Sequence, residues 1–169
     1  GRCAVAFAQQ LGIINQKTCF HTIDGEHKAE IVNPKQGIVS LEMADVKNVE
    51  IGDGYYYMDT GSRHYVKFVD DVDMFDVYNE GKKIRYNDRF RIEGTNVNFA
   101  TFFGDIIKVR TYERGVEDET YACGTGSVAV AIAAYLQNQK KPKEIQARGG
   151  SLFVDYDLLD GNNFTNIRL

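Results

Sequence analysis

Cys123 stands in the tetrapeptide Cys-Gly-Thr-Gly, between a charged loop that follows a β-type run (106–112) and a small-residue apolar stretch (127–136) that reads as a helix. The order is strand, loop, thiol, helix start. The first turn of a helix leaves backbone N–H groups without intrahelical partners and carries the positive end of the macrodipole. A thiol placed there is expected to ionise more readily than a free cysteine, whose pKa is about 8.5. The same N–H groups are suited to a substrate carboxylate, and the glycines flanking Thr125 let backbone approach a ligand closely. A small buried hydrophobe in a tight turn is the alternative reading of a lone cysteine. The flanking glycines and the helix start favour a reactive thiol.

The elements that position this thiol occur twice. Sliding the chain against itself by 125 positions places Gly1 on Gly126, Ala4-Val5-Ala6 on Ala129-Val130-Ala131, Leu11 on Leu136 and Gly25 on Gly150. Each apolar helix is followed by a glycine-centred turn between β-type runs. A duplicated protein is therefore expected, its halves each aiming a helix N-terminus and one thiol at a shared cleft. The counterpart of Cys123 belongs three or four residues before Gly1, so residues 1–169 alone are not expected to be a competent catalyst. The start inside a helix is expected to reflect truncation, and the strand-like 164–169 run suggests continuation past Leu169.

The remaining pattern is many short strands and few helices. A first helix over 1–11 stops at Gly12, a hairpin turns at Asp24-Gly25, and a strand covers 37–43. Residues 46–54 are polar without periodicity and mark a division, with 1–46 the remainder of an N-terminal domain and 47–169 a C-terminal domain. Residues 55–69 form two strand pieces broken at 59–62, placing His64 just after a break where a loop could aim it at a cleft, although from the residues alone a structural or surface histidine is the favoured reading. An amphipathic helix over 73–86 covers a sheet face. Hairpins turn at Gly104-Asp105 and Gly149-Gly150. The fold class is α+β: two pseudo-symmetric halves, each a mixed or antiparallel sheet wrapped around a central helix.

Composition narrows the function. An apolar share of 43%, a charged share of 26% and a net charge of −4 describe an ordinary globular chain without a basic stripe, so no nucleic-acid partner is expected. The longest apolar run, 128–136, is too short to span a bilayer, and no signal peptide is visible. Three cysteines make an odd number without framework spacing, which points to reduced thiols in a cytoplasmic setting. Cys19, His21 and His27 share a strand face, but a solvated face is favoured over a metal site. No metal is expected. Cys3 is expected to be a buried structural thiol.

The run Glu113–Gly126, ERGVEDETYACGTG, resembles the second active-site motif of diaminopimelate epimerases, and Gly1-Arg2-Cys3-Ala4 resembles the end of their first. The resemblance extends over nearly the whole chain. It implies cofactor-independent epimerisation at an amino-acid α-carbon by two cysteines on opposite faces, one thiolate base and one thiol acid, in a homodimer. A stereoinverting enzyme needs an acid and a base flanking a planar carbanion, and a duplicated fold supplies them symmetrically. Carried over by position, Cys123 is one catalytic residue, and Gly124 and Thr125 offer N–H groups to the reacting carboxylate. Glu113 contacts the α-amino group and, with His64, tunes the thiols, while Asn96 and Arg114 hold the distal amino-acid head.

The chain also departs from the family. Gly61-Ser62-Arg63-His64 stands where Gly-Asn-Pro-His is usual, so a hydroxyl replaces a substrate-binding amide and a cation replaces a proline, leaving Ser62 a weak binding candidate. One extra residue separates Glu113 from Cys123. The alternatives are a proline or hydroxyproline racemase of the same superfamily, disfavoured because Arg114 suits a second charged head, and a non-catalytic truncated remnant.

Overall fold

The computed structural model describes residues 1–22 and 25–169. The first helix, α1 (Arg2–Gln10), ends at Gly12 in a left-handed turn and lies on a three-stranded antiparallel sheet. That sheet is β1 (Lys17–Thr22), β2 (Gly25–Asn33) and β3 (Ile38–Leu41). Val5 packs on Ala29, Ile31, Val39 and Leu41, and it alone is buried in the helix, so the expected burial of Cys3 is corrected. Only one face of α1 meets the sheet, and Cys3 lies on the exposed part.

The second part is an eight-stranded sheet. In chain order its strands are β4 (Glu50–Gly52), β5 (Tyr55–Asp59), β6 (Arg63–Phe68), β7 (Asn96–Phe103), β8 (Ile106–Glu113), β9 (Asp118–Thr120), β10 (Glu144–Ala147) and β11 (Gly150–Leu152). In space they run β11-β10-β8-β7-β6-β5-β4, with β9 alongside β8. The β6–β7 and β8–β10 pairs are parallel and the others antiparallel. Residues 46–54, expected to be irregular, contain β4, because Glu50 is held against β5 by Tyr55 and by a two-pronged bond from Arg89.

Two helices cover this sheet. The amphipathic α2 (Val77–Arg85) is shorter than expected, because Asp76 accepts a bond from the Asn79 N–H and starts it there. It closes one face over Val97, Phe99 and Tyr112. On the other face lies α3 (Gly124–Asn138), buried without interruption from Gly126 to Ala134. A helix of Ala, Val and Ile with no polar stripe has to be surrounded. It packs against β5, β6, β7, β8 and β10, while Tyr156 and Phe164 of the hairpin β12 (Asp155–Asp160) and β13 (Asn163–Arg168) close it with Tyr135. It begins three residues before the expected Ser127. The terminal strand pairs back onto the start of the chain: Leu41 and Leu169 exchange backbone bonds of 2.8 and 2.9 Å.

The repeat is visible in three dimensions. Thr22 pairs with Gly25 in the first hairpin as Ala147 pairs with Gly150 in the second, at the same offset of 125. The two glycines have φ of 125° and 135°, a backbone that side chains rarely adopt. The expected turn residue Asp24 lies outside the described residues. Tight apposition of α2 on β8 depends on Gly81, where an added Cβ would come 2.4 Å from the Tyr112 Cβ. Gly81→Ala gains about 1 kcal/mol of helix propensity but forces an overpacking cost of about 1–3 kcal/mol. A net fall in stability on chemical denaturation is expected; a more stable variant would show that α2 does not pack on Tyr112 as described.

Candidate active site

The sheet face under α3 changes character along its length. Val66, Ala100 and Val109 are apolar where the helix body lies, and His64, Asn96, Asn98, Thr111 and Glu113 follow on the same face towards the helix N-terminus. Strand alternation puts them together, since residues two apart point the same way. Register completes the cluster: His64 is opposite Asn96 on β7, and Asn98 is opposite Thr111 on β8.

Cys123 is the N-cap of α3, in extended conformation, with its carbonyl accepting from the Ser127 N–H and hydroxyl. Its Sγ lies 3.5 Å from the Thr125 Oγ1. That hydroxyl is in turn 2.9 Å from His64 Nε2 and 3.2 Å from the Ser62 Oγ. Gly126 allows this closeness, because a Cβ there would meet the Asn98 Oδ1 at 2.5 Å and the Cys123 Sγ at 3.2 Å.

The expectation of a readily ionised thiol is corrected. Burial pushes the Cys123 thiol above its ordinary value, and the nearby Glu113 charge pushes the same way, while the Thr125 hydroxyl and the Gly126 N–H pull it down only in part. The helix terminus does offer donors to sulfur, but loss of hydration outweighs them.

His64 is fully buried on strand β6 rather than carried by a loop into a cleft. Burial, aided by the Arg114 charge, lowers its pKa to about 3, so the ring is neutral. Glu113 is half-buried and accepts from the Thr120 hydroxyl at 2.7 Å. Asn96 is 5% exposed; it donates to the Arg63 carbonyl and accepts from the Arg114 N–H, both at 3.0 Å. The exposed Arg114 side chain donates to the Glu93 carbonyl and has no carboxylate partner among the described residues, so its fork stays available to an anion. Arg63 is occupied by an ion pair with Glu93.

Every candidate thus gathers at one end of α3: Cys123, Gly124 and Thr125 on the helix, Ser62 and His64 at the start of β6, Asn96 on β7, Glu113 and Arg114 where β8 ends. Sequence reading missed Asn98, Thr111 and Thr60, whose hydroxyl donates to the Thr125 carbonyl at 3.0 Å. The available signal was polar residues at inward positions of strands that are otherwise apolar. No group of three or more His, Cys, Asp or Glu side chains able to hold a metal occurs among the described residues, and Cys19 and His21 lie on an exposed strand face.

The family model for diaminopimelate epimerase matches residues 56–162, which contain this whole cluster. The chain belongs to the diaminopimelate epimerase family. A diaminopimelate epimerase of Flavobacterium psychrophilum is 46% identical over 172 residues, covering all of this chain and 66% of its own length. That of Aquifex aeolicus is 39% identical, covering 92% of the chain and 60% of its own. The chain spans about half to two thirds of the length of the curated relatives it matches. Among solved structures, a hydroxyproline epimerase from Agrobacterium vitis is similar with a TM-score of 0.63 at 15% identity, covering 98% of this chain and 60% of that one. A PhzF-family phenazine biosynthesis protein of Bacillus anthracis is similar with a TM-score of 0.71 at 10% identity, covering 97% and 69%. At such identities these two share the fold: mixed sheets wrapped around central helices, as expected.

A buried neutral histidine has a measurable signature. Its folded pKa, about 3, is depressed below the ordinary 6.5, so its contribution to stability is fully present above 6.5 and lost as pH falls towards 3. Between pH 6.5 and about 4.5, above most carboxylate titration, unfolding free energy is expected to fall by up to ~1.4 kcal/mol per pH unit. His64→Gln should flatten that slope whatever its overall stability; an unchanged slope would show that His64 titrates normally.

Proposed function

We propose that the protein containing this chain interconverts LL- and meso-diaminopimelate by removing and returning the α-proton without a cofactor. The observation that carries the reading is a part-buried thiol, Cys123, at the N-terminus of a buried helix beside Glu113 and an Arg114 without a carboxylate partner among the described residues, in a chain of the diaminopimelate epimerase family.

Cys123 is the acid–base group on one face of the α-carbon. Burial keeps it protonated at rest, which suits the acid half of the reaction, delivering a proton to a carbanion. When the reaction runs the other way Cys123 must first become a thiolate, and a substrate ammonium held by Glu113 supplies the positive charge that lowers the cost. The base on the other face is the thiol that the 125-residue repeat places at the N-terminus of the α1 helix. The Gly124 and Thr125 N–H groups, at the positive end of α3, hold the reacting carboxylate and stabilise charge that spreads onto it from the carbanion. Such donors act most strongly where water is excluded, and His64, Asn96 and Asn98 behind them are buried.

Arg114 takes the distal carboxylate through its fork. Asn96, with its amide engaged on both sides, serves the distal head by holding Ser62 and Arg114 towards it. Ser62 brings one hydroxyl to that side. We further assign residues 1–46 to the N-terminal domain and 47–169 to the C-terminal one, and expect a cytoplasmic homodimer.

In the full-length protein, wash-in of deuterium from heavy water at the α-carbon of diaminopimelate is the deciding measurement. Cys123→Ala should lower exchange by about 10²–10⁴-fold, the usual contribution of a positioned acid–base group. Arg114→Gln should mainly raise KM. Exchange into proline in place of diaminopimelate, or into neither by folded protein, refutes the assignment.

A further inference from the structure

Behind Cys123 runs a chain of hydrogen bonds whose direction can be read from its backbone anchors. The Asn98 side chain, on β7 and fully buried, has its Nδ2 2.9 Å from the Tyr65 carbonyl. A carbonyl only accepts, so the atom facing it is the amide nitrogen and not the oxygen. The same Nδ2 lies 3.1 Å from His64 Nδ1, and the Asn98 Oδ1 accepts from the Thr111 hydroxyl at 2.9 Å. Nδ1 of His64 therefore receives a hydrogen bond, and a neutral imidazole that accepts at Nδ1 carries its proton at Nε2.

That proton faces two hydroxyls, Ser62 at 3.0 Å and Thr125 at 2.9 Å. Asn96 is anchored in the same way: the Arg63 carbonyl and the Arg114 N–H fix which end of its amide is which, and its Nδ2 reaches the Ser62 Oγ at 3.4 Å. With a donor arriving from Asn96, Ser62 directs its own hydrogen to the Thr125 Oγ1 at 3.2 Å. The Thr125 oxygen then accepts from both His64 and Ser62, and its hydrogen is left for the Cys123 Sγ at 3.5 Å.

We propose that Asn98 is a positioning residue for the Cys123 thiolate: by fixing the Nε2–H tautomer of His64 it commits the Thr125 hydroxyl to donate to sulfur. This rests on Cys123 being the acid–base group. It assigns the fully buried His64 a part that needs neither contact with substrate nor a charged ring. It also explains why Gly126 is required where α3 approaches Asn98, since any side chain there would push the amide off the imidazole. The other groups acting on the sulfur are Glu113 from β8, whose charge opposes the thiolate, and the Gly126 N–H, which favours it. The donor from Thr125 counters the first, and it does so without adding a positive charge that would hold the substrate's ammonium away.

Three readouts on the full-length protein test this without measuring turnover. Nitrogen-15 NMR of labelled histidine should show His64 protonated at Nε2 and bare at Nδ1; the reverse tautomer overturns the proposal. In Asn98→Asp, which keeps the shape and when ionised can only accept, Nδ1 should become protonated as the pH is raised through titration of the new carboxyl, and an Nδ1 still bare at high pH overturns it equally. The third readout is the midpoint of the pH–rate profile for alkylation of the Cys123 peptide, resolved by mass spectrometry from the exposed Cys3 and Cys19. Thr125→Val should raise this midpoint by about one pH unit or more, equivalent to a tenfold loss of thiolate, as expected for removing a hydrogen bond to a charged group. Thr125→Ser should restore it. An unmoved midpoint in Thr125→Val overturns the proposal. Should Asn98→Asp fail to fold, the wild-type tautomer and the Thr125 pair still decide. An intact relay in a protein that exchanges no diaminopimelate refutes the function and leaves the relay standing, and the converse outcome does the reverse.

Discussion

The need to surround α3 governs the structure. Its residues are apolar on every side, and each fully buried Val or Ile contributes roughly 1.5–3 kcal/mol. The sheet must therefore wrap it, and the hairpin of β12 and β13 must close what the sheet leaves open. A helix enclosed in this way still has orphan N–H groups in its first turn. The sheet face becomes polar where the helix begins: His64, Asn98, Thr111 and Thr60 stand where the apolar packing stops, bonded to one another and to Thr125.

The same enclosure sets the chemistry of the thiol. Desolvation and the helix terminus act on Cys123 in opposite directions, and desolvation is the larger. A surface cysteine at a helix N-terminus would ionise easily and react with whatever reaches it. The part-buried Cys123 is held towards its protonated form instead. Low local dielectric strengthens each hydrogen bond in the relay and makes any unpaired member costly, so the network persists only because its donors and acceptors match along its length.

Duplication explains the resemblance of the two helices but not their different surroundings. The Ala-Val-Ala segment of α1 buries only Val5, since the helix meets just β2 and β3, whereas the same three residues in α3 are wholly enclosed by five strands and a hairpin. Between the halves, residues 41–46 pair with β13, so the last strand is stitched to the first half by backbone bonds. This ties the helix N-terminus to the neighbouring sheet, with Leu169 packed where a Cβ on Gly124 would lie.

Much was legible in the sequence because the signals are local. Apolar composition marked α3, glycines marked the hairpins at Gly25, Gly104 and Gly150, and a shared offset marked the repeat. The run from Glu113 to Gly126 carried enough chemistry to point to Cys123 as a candidate acid–base thiol and to Arg114 as a candidate anion binder. What stayed hidden depends on residues far apart in the chain. Asn98 looked like any polar strand residue until the parallel pairing of β6 with β7 put it against His64. Cys3 and Cys123 each head an Ala-Val-Ala helix, and only packing left one exposed and enclosed the other. The acidity of Cys123 could not be read from its helix cap, because the sign of the shift depends on how much water the surrounding sheet removes. Local propensity and spacing thus determined the elements and the candidate groups. The environment of those groups, which is a sum over contacts made by distant strands, was decided by the tertiary structure alone.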